Sequence, residues 1–149
     1  MPVIFILNGP NLNMLGIREP HIYGRQTLQD IEKICRDSGE DYGLDIDFRQ
    51  SNHEGMIVDW LHESYRRVSG IVINAGAFTH TSLAIHDALK LLVDVPIAEV
   101  HISNPKEREE FRHFSYIESV ADFHFAGHGI QGYVMAIEAI AERLGKHRK

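Results

Sequence analysis

The apolar positions of the chain follow two rhythms, and each change of rhythm marks an element. Val3 to Leu7 is an unbroken apolar run stopped by Asn8-Gly9-Pro10, the pattern of a strand buried on both faces. From Asn8 to about Gln26 the pattern lapses into a Gly/Pro/Asn-rich loop. It is far longer than the usual ~4–6 residues, and loops of that length are commonly functional or disordered. Thr27-Leu28-Gln29-Asp30 then resembles a capping box with Asp in place of Glu, and Leu28, Ile31, Ile34 and Cys35 form one helical stripe behind it. Gly43 closes that helix, and Leu44, Ile46 and Phe48 alternate as a strand. Ser51 or Asn52 can cap a second helix with Met56, Ile57, Trp60, Leu61 and Tyr65 on its apolar face. Gly70 to Asn74 is a short buried strand, and Thr81 or Ser82 caps a third helix with Ala84, Ile85, Ala88, Leu89 and Leu92 inward. Pro96 to His101 makes the fourth strand. Asn104-Pro105 is a cap-then-proline helix start. Val120 to Phe125 makes a fifth strand, and Ile130, Val134, Ile137, Ile140 and Leu144 line a last helix closed by Gly145.

Strands alternating with helices in this way predict an α/β fold, a flavodoxin-like three-layer αβα sandwich around a five-stranded parallel sheet. Residues 1–149 read as a single domain, with residues 9–26 as a candidate lid. The net charge of 15 − 21 = −6 makes the chain a poor general nucleic-acid binder. No apolar run approaches the ~20 residues of a membrane span. Cys35 is the only cysteine, so an intramolecular disulfide is impossible and a cytoplasmic location is expected. On its helical stripe Cys35 reads as packing, not as a nucleophile.

In open parallel sheets, ligands bind outside the carboxyl ends of the strands. Those ends supply Asn8 and Asn11 after the first strand, Asn74 after the third, and Glu99, His101, Ser103 and Asn104 along the fourth. Asn8-Gly9-Pro10-Asn11 matches neither a phosphate loop nor a dinucleotide turn. The lysines fall on helix surfaces or the tail, which argues against an imine mechanism. The ten histidines show no recognised metal-ligand spacing. His21, His53, His62, His113 and His147 read as surface residues, and His124 and His128 as polar residues at element ends. His101 differs, because it ends a buried strand at the ligand edge. Glu99 and His101, two apart on one strand, point to one face. That pair is either a strand-end hydrogen bond or a carboxylate that fixes an imidazole for proton transfer. The loop adds Arg18-Glu19-Pro20-His21-Ile22-Tyr23-Gly24-Arg25. There Tyr23 is either a surface anchor or a base whose ionised form the arginines support.

The stretches Asn8–Gly24 (NGPNLNMLGIREPHIYG), Ile73–Leu89, Glu99–Asn104 (EVHISN), Arg108–Tyr116 and Gly129–Tyr133 together resemble the type II 3-dehydroquinate dehydratases. The resemblance covers essentially the whole chain. It implies reversible anti elimination of water from 3-dehydroquinate to 3-dehydroshikimate through an enolate, in the shikimate pathway or in quinate breakdown, with no metal, no organic cofactor and no imine. By motif it makes Tyr23 the base, supported by Arg18. His101 becomes the acid, oriented by Glu99, and Asn11 holds a water on the enolate oxygen. It places Asn74 and the N–H groups of Ile102 and Ser103 on the carboxylate region, and His80 and Arg112 on the ring hydroxyls. Asp87 reaches in from an adjoining subunit of a homododecamer, a tetramer of trimers. His128 stands where many relatives have a larger apolar residue. Two other classes fit worse: a hydrolase using Glu99 and His101 lacks a nucleophile elbow for Ser103, and a flavin or nucleotide binding module lacks a phosphate loop.

Overall fold

The computed structural model describes residues 1–17, 19, 21 and 24–149. Arg18, Pro20, Ile22 and Tyr23 lie outside them, and with them the expected places of the base and its supporting arginine. The strands β1 (Val3–Asn8), β2 (Asp45–Gln50), β3 (Gly70–Asn74), β4 (Ile97–His101) and β5 (Phe123–Ala126) form one parallel sheet in the order β2-β1-β3-β4-β5. The helices α1 (Leu28–Asp41) and α4 (Gln131–Arg143) cover one face, and α2 (Glu54–Ser64) and α3 (Leu83–Lys90) the other. Side chains alternate between the layers: Ile4, Ile6, Val72, Ala98 and Val100 join the core under α1 and α4. Phe5, Leu7, Ile71, Ile73 and Ile97 join the one under α2 and α3. With both faces covered, the central strands β1 and β3 are apolar up to their terminal asparagines, and each fully buried Ile or Leu contributes about 1.5–3 kcal/mol. No helix among the described residues is long and apolar enough to cross a membrane.

The expected caps of α1 and α3 are present. Thr27 Oγ1 accepts the Asp30 N–H at 3.2 Å while Asp30 Oδ2 accepts the Thr27 N–H at 2.9 Å, and Ser82 Oγ accepts the Ile85 N–H at 2.9 Å. Cys35 is fully buried, and burial pushes its thiol up to about 12, which leaves it unionised. Other local expectations are corrected. The N-cap position of α2 is His53, not Ser51 or Asn52, and its side chain makes no capping bond. Instead the Ser51 hydroxyl accepts the His53 N–H at 2.9 Å and Asn52 accepts the Asn11 N–H at 3.0 Å. Met56, Tyr65 and Ala84 are exposed, outside the apolar faces predicted for them. The helix expected after Pro105 is a series of 3-10 turns, Pro105–Glu107, Glu110–Arg112 and Glu118–Val120, and β5 starts at Phe123, not Val120.

Two glycines fix the loops at the ligand edge. A Cβ on Gly9 would lie 2.1 Å from the Ala75 carbonyl oxygen, so the chains leaving β1 and β3 touch through backbone. Gly16 has φ +90°, and a Cβ there would lie 2.9 Å from the Arg25 carbonyl oxygen. The backbone at Gly16 therefore packs against that at Arg25, and Leu12 and Leu15, just before it, are buried in the core.

Candidate active site

The carboxyl ends of β1, β3 and β4 place Asn8, Asn74 and His101 side by side. Asn11, Asn74, His80, His101, Ile102, Ser103 and Arg112, all expected site residues, surround one cleft of about 180 Å³. Pro10, Leu12 and Arg108 complete much of its wall. Asp87 is exposed on α3 and does not line the cleft.

Behind the cleft sits the most buried chemistry of the molecule. His101 Nε2 lies 2.5 Å from Glu99 Oε2, and Ser115 Oγ donates to the same oxygen at 2.7 Å. Glu99 has no solvent exposure. Burial pushes its carboxyl up, but the hydrogen bonds from His101 and Ser115 and the imidazoles of His101 and His124 outweigh it and hold the group below the usual carboxylate range. An ionised Glu99 fixes the ring orientation of His101 and leaves Nδ1 as the nitrogen available for proton exchange in the cleft.

A second buried chain positions the floor. The Tyr133 hydroxyl, fully buried in α4, donates to Asn8 Oδ1 at 2.7 Å and accepts from Asn74 Nδ2 at 2.9 Å. Burial pushes this phenol well above its ordinary value, so it remains a neutral bracket. Asn8 Nδ2 donates in turn to the Arg49 carbonyl at 3.0 Å, and Asn74 Oδ1 accepts the Gly76 N–H at 3.2 Å. Asn74 thus has one amide hydrogen left to aim at a ligand.

The walls favour an anion. Arg112 is paired with Glu109 on the 3-10 turn, and Arg108 reaches Ser103 Oγ at 3.5 Å. Among the described residues no backbone hydrogen bond uses the N–H of Ile102 or Ser103, so two donors stand at the end of β4. His80 Nδ1 meets the Phe114 carbonyl at 2.8 Å, and burial lowers its pKa, so the neutral ring presents Nε2 as an acceptor. Asn11 takes a left-handed backbone, φ 70°, which asparagine tolerates better than most residues.

Ser115, Arg108 and Tyr133 had not been picked out as site residues. All three fall inside the family-like stretches Arg108–Tyr116 and Gly129–Tyr133, but Ser115 and Arg108 sit on turns without periodicity and Tyr133 belongs to no apolar stripe, so no local pattern marks them. His124, expected to be an element-end residue, lies on β5 with Nε2 3.6 Å from Glu99 Oε1. Glu99, His101 and His124 are a set that could hold a metal ion, a convergence invisible in their spacing.

The family model for dehydroquinase class II matches residues 2–141. The chain belongs to the class II dehydroquinase family. Among its relatives, the 3-dehydroquinate dehydratase 1 of Agrobacterium fabrum is 55% identical over 138 residues, 93% of this chain and 94% of the relative. The 3-dehydroquinate dehydratase of Variovorax paradoxus is 53% identical over 145 residues, 94% and 99% of the two chains. The solved type II dehydroquinase of Butyrivibrio crossotus superposes with a TM-score of 0.91 at 45% identity, over 93% of this chain and 97% of that one. This dehydroquinase carries its Glu99–His101 pair and its Asn74 bracket at the edge where an open parallel sheet binds ligands.

Proposed function

We propose that this dehydroquinase catalyses the reversible dehydration of 3-dehydroquinate to 3-dehydroshikimate. The observation that carries the reading is the cleft in which His101, backed by the buried Glu99, meets Asn74, Arg112 and the two strand-end N–H groups. Those N–H groups and Asn74 hold the substrate carboxylate region, and His80 and Arg112 bind ring hydroxyls. Tyr23, as tyrosinate, removes the C2 proton, and Arg18 supports its ionisation. The electron pair moves to the C3 oxygen as an enolate, stabilised by a water on Asn11. The C1–O bond then breaks, and the hydroxyl leaves as water with a proton from His101 that Glu99 has oriented. Each positioned proton transfer is worth roughly 10²–10⁴-fold. The reaction draws on no metal, cofactor or imine.

The described part of the loop supports this reading: Gly16 packs against the Arg25 carbonyl, and Gly24 shares a groove with Ile102 and Ser103 beside the cleft. We read residues 9–26 as a lid on a single catalytic domain, closing to exclude water. Assembly is part of the proposal: Asp87 lies between Leu83 and Leu91 on one exposed face of α3, a face that a second copy covers in a cytoplasmic homododecamer of four trimers.

Ultraviolet absorbance tests the reaction directly, because dehydration creates a conjugated enone carboxylate. Absorbance should rise on mixing with 3-dehydroquinate, unaffected by chelator or by borohydride, and Tyr23→Phe should abolish turnover while retaining ligand binding. Folded, oligomeric protein that produces no rise refutes the reading, and near-normal turnover by Tyr23→Phe removes the base.

A further inference from the structure

Two buried side-chain atoms among the described residues have no hydrogen-bond partner, Glu99 Oε1 and Thr79 Oγ1. They belong to one neighbourhood. A small cavity of about 20 Å³, adjoining the substrate cleft across His80, His101 and Arg112, is lined also by Thr79, Ser115, Glu118 and His124. That volume holds a single water or ion. One oxygen of Glu99 and one ring nitrogen from each of His101 and His124 all lie within 4.8 Å of one another. Glu99 Oε1 is 3.6 Å from His124 Nε2, and Glu118 Oε1 is 3.7 Å from the same nitrogen.

The geometry points to an inhibitory site for a divalent transition-metal ion of the zinc type, held by Glu99, His101 and His124 with Glu118 or water in a fourth position. Ligands at zinc's bond lengths of about 2.0–2.2 Å stand about 3.4 Å apart across a tetrahedral angle, so Glu99 Oε1 and His124 Nε2 are already spaced to share an ion. His101 joins them by turning Nε2 from Glu99 to the metal, with the ring proton carried on Nδ1. Coordination gives the orphaned Oε1 a partner. Lys106 and Arg112 also line the cavity and disfavour ions held by charge alone. The ions left are those that bond imidazole nitrogen, such as Zn²⁺, Cu²⁺ and Ni²⁺, ahead of Mg²⁺ or Ca²⁺. The bound ion removes Glu99 and His101 from proton transfer, so occupancy inhibits. Inhibition rests on the proposed reaction; binding does not.

The test uses purified enzyme freed of metal, with Zn²⁺ titrated by calorimetry and by the dehydration assay, and Co²⁺ followed by its visible absorption. The expected result is one Zn²⁺ per subunit, inhibition reversed by chelator, and no effect of Mg²⁺. His124→Val, a strand-forming residue on an edge strand, is compared with the wild type after each is scaled to its own metal-free turnover. It should raise the Zn²⁺ needed for half-saturation and half-inhibition at least about tenfold, since loss of even an outer partner costs a site that much. Zn²⁺ affinity unchanged in His124→Val, or no stoichiometric binding to the wild type, overturns the site. Should His124→Val fail to fold, His124→Gln carries the same comparison. If the enzyme proves inactive on 3-dehydroquinate, calorimetry and the Co²⁺ spectrum still decide the question of binding.

Discussion

A carboxylate with no solvent exposure stays ionised only when other groups replace the water it has lost, and for Glu99 those groups are His101 and Ser115. Its folded pKa lies below the ordinary carboxylate value. The ionised form therefore stabilises the fold above about pH 4.3, and that contribution disappears as pH falls through the lower folded value. Glu99→Gln lacks this component. The stability gap between wild type and variant, read from urea unfolding at a series of pH values, should narrow as pH drops below about 4. A gap independent of pH would show that Glu99 is not held ionised. Ser115 does not line the cleft, so Ser115→Ala should lower kcat about tenfold, a fraction of what a positioned acid supplies, and leave KM nearly unchanged. A rise in KM with unchanged kcat would place Ser115 on the substrate instead. The spacing of Glu99 and His101 was legible because a strand has a period of two. Ser115 was not, since its role depends on a turn folding back from beyond β4.

At the level of elements, Tyr133 ties α4 to the ends of β1 and β3. Tyr133→Phe keeps the packing but strands Asn8 Oδ1 and Asn74 Nδ2, and an unsatisfied buried polar group costs about 1–3 kcal/mol. We expect a loss of about 2 kcal/mol in urea unfolding, with weaker ligand binding because Asn74 is no longer aimed; an unchanged midpoint would refute the bracket. Local sequence fixed the starts of α1 and α3, where Thr27 and Ser82 meet amides three residues on. It misplaced the start of α2, because Ser51 and Asn52 bond to other partners, which only the tertiary arrangement reveals. The segment after Pro105 has a helix-start signal but a charged run, Lys106 to Glu110, in place of an apolar stripe. Without a face to bury it does not continue as a helix, and its later backbone bonds go elsewhere, as in Tyr116 N–H to the Thr79 carbonyl.

For the whole molecule, the exposed face of α3 decides whether one chain is enough. Leu83 and Leu91 are each more than half exposed, with Asp87 between them on the same helical face and outside the cleft of its own chain. If a neighbouring subunit supplies Asp87, light scattering should report a particle many times the 17.0 kDa of the chain. Specific activity should fall when dilution separates the subunits, and Asp87→Ala should raise KM without disturbing the fold. An active monomer would sink the assembly. The sequence by itself determined the five strands, the four helices, most of their buried positions, the strand-end asparagines and the Glu99–His101 spacing, because period and local capping are properties of neighbours along the chain. Only the tertiary structure decided that Ser115, Arg108 and Tyr133 serve the site and that His124 stands beside Glu99. These contacts join residues far apart in sequence through strand order and turn geometry, which no local period records.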